Sequence, residues 1–110
     1  MLKVTEENGI KVASFDNHDR FNAVIYQEVK EKLNSLLEPN SKLILDLDGV
    51  KFVDSSGFGA MLSVFKTARS NDSVFKICSI NQEVLELVKL MKLHNVFDIH
   101  DNLESCKSSF

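Results

Sequence analysis

Arginine is nearly missing from this chain: Arg20 and Arg69 are the only two among 13 basic residues, set against 16 acidic ones. The formal net charge is −3, and no basic stripe interleaves with aromatic residues, so a nucleic-acid partner is not expected. Long apolar runs are absent as well. None approaches the roughly 18–20 residues that cross a bilayer, and the opening MLKVTEENGI turns charged at once, without the apolar stretch of a secretory signal. The expectation is a cytoplasmic protein with no direct membrane insertion. Cysteine is limited to Cys78 and Cys106, whose spacing suits no metal site. Cys78 lies in an apolar run and reads as a small core residue. Neither G-x-x-x-x-G-K-[ST] nor G-x-G-x-x-G occurs, so no nucleotide cradle is legible and no cofactor is expected.

What is present suits one globular domain spanning residues 1–110. The length is enough to bury a core without metals or disulfides, and 44% hydrophobic with 26% charged residues argues against disorder. Leu2 to Thr5 and Ile10 to Phe15 are short β-branched runs joined by EENG, a hairpin signal. After the polar DNHDRFNA, residues Val24, Ile25, Val29, Leu33, Leu36 and Leu37 fall on one face of a helix that ends near the single proline, Pro39. LILDL, from Leu43, suits a buried parallel strand. Phe58, Met61, Leu62, Phe65 and Ala68 then repeat at helical spacing up to the turn formers SNDS. Val74 to Ile80 reads as a strand, Val84, Leu85, Val88 and Met91 as a helical stripe, and Val96 to Ile99 as a short strand; LESCKSS could close the chain with a helix.

The expected class is therefore α/β, in the order β-β-α-β-α-β-α-β with a possible final helix. Strands alternating with helices imply a mostly parallel sheet with crossover helices, preceded by an antiparallel hairpin. Sites in such sheets gather where strands end and helices begin.

The stretch KFVDSSGFGAM, from Lys51 to Met61, sits at such a joint. Asp54, Ser55 or Ser56 could each cap the helix, offering an oxygen to a free backbone N–H and, for the acid, matching the positive end of the helix dipole. Capping alone leaves Gly57 and Gly59 unexplained, because each weakens a helix by about 0.8–1.0 kcal/mol relative to alanine; a close approach to the backbone would explain them. A serine nucleophile is poorly supported. The elbow pattern G-x-S-x-G needs glycine two residues before the serine, where Val53 or Asp54 stands. His18, His94 and His100 fall in separate loops or strand ends. Phosphorylation is the remaining reading: free N–H groups and the dipole tolerate a phosphate at a helix start, and its roughly two negative charges would disturb a bound partner. No enzymatic activity is expected of the chain itself.

LILDLDGVKFVDSSGFGAML resembles the signature of the STAS domain, the fold of bacterial anti-sigma factor antagonists. There a buried strand ending aliphatic-Asp-Leu, here Leu45, Asp46 and Leu47, precedes aromatic-aliphatic-Asp-Ser-Ser/Ala-Gly-aliphatic-Gly. The second block corresponds to Phe52, Val53, Asp54, Ser55, Ser56, Gly57, Phe58 and Gly59. Element order agrees over essentially the whole chain. The resemblance implies a binding module whose partner is an anti-sigma factor that is also a serine kinase, and whose binding ends when the second serine of the motif, Ser56, is phosphorylated. Ser55, Asp54, Gly57, Phe58 and Gly59 would form the neighbourhood, with Phe58 an anchor if exposed. In the matching segment Asp19–Arg20–Phe21–Asn22, Asn22 stands where many members have aspartate, removing a charge near the acceptor while keeping the ability to cap the first helix. That departure bears on kinase recognition and not on the fold. Other STAS modules serve stress-signalling or lipid-transport complexes, the alternative reading. A receiver domain phosphorylated on aspartate, suggested by Asp46 and Asp48, would need an acidic pair after the first strand that the hairpin does not provide.

Overall fold

A computed structural model describes residues 2–110. Asn8 and Gly9 both take positive φ, 54° and 79°. That conformation makes the tight two-residue turn that matches strand twist. The first strand therefore runs two residues past its expected end, as β1 Leu2–Glu7, and pairs with β2 Ile10–Phe15, which has the expected bounds, antiparallel with Glu7 opposite Ile10. Next come β3 Arg20–Phe21, α1 Tyr26–Ser35, β4 Lys42–Asp46, β5 Phe52–Val53, α2 Ser55–Ser70, β6 Val74–Cys78 and α3 Gln82–Leu90. A short 3-10 turn, Leu93–Asn95, leads to β7 Asp98–His100 and α4 Leu103–Ser108. The main sheet has the order β1-β2-β4-β6-β7, parallel except for the opening hairpin. The expected mixed, mostly parallel sheet and element order are what the chain forms.

Both faces of the central strands are covered, which is why β4 is apolar without interruption until Asp46. Leu43 and Leu45 join the large core under α1, α2 and α3, together with Val29, Leu33, Met61, Val64, Ile77 and Val88. Ile44 points the other way, into a smaller cluster with Ile10, Val12, Cys78 and Cys106, closed by Leu103 and Phe110. The last helix is thus the cover of the second face. Lys76, buried beneath it, is held by the Ser109 carbonyl (3.1 Å) and Oγ (2.7 Å) and by Asp98 (3.4 Å).

Cys78 is the core residue its apolar run suggests, and Cys106 packs in the same cluster. Burial raises the Cys78 thiol from 9.0 to about 12 and the Cys106 thiol to about 11. Both thiols are then protonated and inaccessible in the native state. In the unfolded chain they ionise near their ordinary value, so the unfolded state holds fewer protons above pH 9 and stability falls as pH rises from there toward 11. The expected result with a chromogenic disulfide reagent at pH 8 is no thiol titrated in buffer and both titrated in denaturant. Rapid reaction of the native protein would contradict this packing.

Several apolar residues leave the faces their spacing assigned. Val24 is 87% exposed, because it precedes the first turn of α1 and helical periodicity does not reach it. Met91 lies just past the end of α3 and is about half exposed, and Val96 borders the 3-10 turn instead of opening a strand. The small parallel ribbon β3–β5 has no counterpart in the sequence reading, since two residues are too few to show a period.

Candidate functional site

The ribbon β3–β5 positions the DSSG segment. Arg20 lies opposite Phe52 and Phe21 opposite Val53, and the Asp54 N–H extends the pairing by donating to the Phe21 carbonyl (3.2 Å). With Asp54 extended (φ −98°, ψ −175°), the chain turns directly into α2. Asp54 is the residue that caps it: Oδ1 accepts the Gly57 N–H at 3.0 Å. Such a cap stabilises by about 1 kcal/mol and places the carboxylate at the favourable end of the helix dipole. Oδ2 accepts the Ala23 N–H at 3.1 Å. One carboxylate therefore ties the start of α2 to the loop that leads into α1.

Asn22 lies in that loop, but its role is different from the expected cap. Its Oδ1 accepts the Val24 N–H at 3.1 Å, and its carbonyl accepts from Ile25 and Tyr26. The cap position of α1 is Ile25, which has no side-chain bond to offer. Asn22 thus shapes the turn before the helix and, through the Ala23 contact, comes into the neighbourhood of Asp54.

Ser55 is exposed and Ser56 half-buried at the first two positions of α2. Among the described residues no group hydrogen-bonds to either hydroxyl. Among the described residues no histidine hydrogen-bonds either hydroxyl: His94 lies in the 3-10 turn, and His100 bonds Asp98 (2.9 Å) and lies 3.4 Å from the Ser109 Oγ, on the far edge strand. His18 lines a shallow depression of about 420 Å³ with Asp19, Asp48 and Lys51. The Asp46 carboxylate accepts the Asp48 N–H at 3.0 Å, a local backbone role. Among the described residues no cluster of His, Cys, Asp and Glu could hold a metal ion, and no helix is long and apolar enough to cross a membrane.

The two glycines differ sharply, and the close approach proposed for both applies to one. At Gly57 a Cβ would lie 2.5 Å from the Phe21 carbonyl oxygen and 2.8 Å from Val53 Cγ1. The backbone that comes close is the chain's own β3–β5 ribbon, not a partner's. At Gly59, which is exposed, an added Cβ meets nothing within 4 Å. Phe58 is 3% exposed and belongs to the main core. Phe58 is not exposed, so the condition for its acting as an anchor is not met, and Gly57 packs inward beside it: the first turn of α2 aims both into the fold and leaves Ser55 and Gly59 outward.

Two contact candidates were not legible. Phe52 is 49% exposed with the Arg20 guanidinium 4.8 Å above its ring, and Val24 adjoins Ala23, the partner of Asp54. Successive strand residues point to opposite faces, so with Val53 buried in the two-residue strand Phe52 points out. Two exposed apolar residues thus lie close to Asp54 along the chain or through its hydrogen bond: Phe52 two residues before it, and Val24 next to Ala23.

A model of the STAS domain family matches residues 3–106 of the chain. The anti-sigma-B factor antagonist of Bacillus subtilis (strain 168) is 27% identical over 93 residues, covering 84% of this chain and 83% of the relative. An anti-sigma-factor antagonist (STAS) domain protein from Planctomyces limnophilus has a solved structure that superposes with a TM-score of 0.85 at 20% identity, over 96% of this chain and 92% of that one. The anti-sigma factor antagonist SpoIIAA, solved in its unphosphorylated form, superposes with a TM-score of 0.72 at 10% identity, over 99% and 96%.

Proposed function

The chain belongs to the STAS domain family, and on that premise we propose that it is an anti-sigma factor antagonist, a binding module without chemistry of its own. Its partner is an anti-sigma factor that is also a serine kinase; binding frees the sigma factor, and phosphorylation of Ser56 ends the binding. The observation that carries this reading is the start of α2: two serine hydroxyls without a hydrogen bond among the described residues, next to Asp54, with Phe52 and Val24 exposed close to that acid along the chain and through Ala23. That combination of polar groups and exposed apolar residues suits a docking face. The relative in Bacillus carries the same role in its name.

The switch follows from charge. A phosphate on Ser56 adds roughly two negative charges beside the Asp54 carboxylate, yet free N–H groups and the helix dipole hold it at little cost to the fold. A partner surface fitted to a neutral hydroxyl must then bury and desolvate a dianion beside Asp54. Ser55 is the more exposed of the two serines, so each must be replaced separately when the acceptor is assigned.

The test is calorimetric titration against each serine-kinase anti-sigma factor encoded in the same genome, with release of the bound sigma factor followed in parallel. A stable complex that releases sigma supports the assignment; no complex with any of them overturns it. Phe52→Ser and Val24→Ser are each expected to weaken that complex about tenfold, or about 1.4 kcal/mol. Their unfolding free energies should change by less than about 1 kcal/mol, because neither side chain is buried. Equal affinity in both variants would remove these two residues from the interface.

A further inference from the structure

Toward the other end of α2, roughly 10–20 Å along the helix from Ser56, lies an open groove of about 840 Å³. Its floor is apolar, from Leu62, Phe65 and Val96, and its rim carries Lys66 and Arg69 with no acidic residue. Phe65 is fixed edge-on to the buried Phe97 and lies under the Arg69 guanidinium at 5.8 Å, so floor and rim are held together. The composition of the two sequence segments that supply its lining is equally one-sided. Residues 55–70 and 87–97 contain Lys66, Arg69, Lys89 and Lys92 and no Asp or Glu, a formal +4, while the rest of the chain is −7. All four cations are exposed, and Leu90 (79%) and Met91 (48%) are exposed between Lys89 and Lys92.

We propose that this groove is a second docking site, which takes an acidic amphipathic helix of a partner protein. Its apolar floor receives side chains spaced at i, i+3, i+4 and i+7, and its cations pair with Glu or Asp on the helix flanks. The sign of the rim selects an acidic ligand from a chain that is itself acidic overall. The site is separate from the serines and does not depend on the anti-sigma reading.

The probe is a fluorescein-labelled helical peptide of about 16 residues, the length of α2, with Leu on one face and Glu on its flanks. Its comparisons are a scrambled peptide of the same composition and a version with Lys in place of Glu. Anisotropy should show binding of the first alone, weakening with added salt. Backbone NMR shifts should move at Leu62, Phe65, Lys66, Arg69 and Val96 and not at Ser55 or Ser56. The double variant Lys66→Gln/Arg69→Gln should lose on the order of tenfold in affinity at an unchanged unfolding midpoint, and Lys66→Glu/Arg69→Glu more. Equal binding of the scrambled peptide, unchanged affinity in the double variants, binding to vesicles of phosphatidylglycerol in place of the peptide, or groove shifts caused by self-association would each overturn the proposal.

Discussion

Gly57→Ala is expected to destabilise the protein by about 2–3 kcal/mol, lowering its unfolding midpoint by roughly 10 °C. Alanine is otherwise the better helix former by about 1 kcal/mol, so the steric cost must exceed that gain. It does so because the obstruction at 2.5 Å is the backbone oxygen of Phe21, which cannot rotate away as a side chain could. To admit a methyl group, α2 must move off the β3–β5 ribbon, loosening the Asp54 bonds to Gly57 and Ala23 with it. The same substitution two residues later has the opposite sign. Gly59→Ala meets open space and should stabilise by up to about 1 kcal/mol. Paired denaturant titrations decide the matter: equal shifts for both variants would contradict the packing described at Gly57.

Ser56→Asp is expected to leave the fold in place and to abolish partner binding, with a loss of about 100-fold or more, equivalent to about 2.7 kcal/mol. The fold survives because a negative charge in the first turn opposes no intrahelical bond and favours the dipole. The complex does not, because the new charge stands next to Asp54 on the face that the partner covers. Ser56→Ala should bind as the wild type does. Isothermal titration with the three proteins, set beside their unfolding midpoints, separates the two effects. Loss of affinity together with loss of fold would point to a structural role for Ser56 instead.

Much of this architecture is visible in the sequence where periods are long and chemically consistent. LILDL cannot be satisfied except between two covered faces, and the repeat from Phe58 to Ala68 has one helical solution. What escapes is short or non-local. The two-residue strands Arg20–Phe21 and Phe52–Val53 carry no period, yet they set the orientation of Asp54 and turn Phe52 outward. Val24 satisfies a helical pattern that begins only after it. The need for Gly57 depends on Phe21, distant in sequence, so the glycine showed that something comes close without showing what. The groove under Lys66 and Arg69 is likewise made by α2 and the turn before β7, segments joined only by folding.

The central claim is that Ser56 is the point of control. The protein is incubated with each candidate serine-kinase anti-sigma factor of the same genome and ATP, and the phosphate is located by mass spectrometry in wild type, Ser55→Ala and Ser56→Ala. The predicted result is a single phosphate on Ser56, retained in Ser55→Ala, absent from Ser56→Ala, and accompanied by release of the partner. A phosphate that maps to Ser55, or a complex that persists when Ser56 is fully phosphorylated, would contradict it.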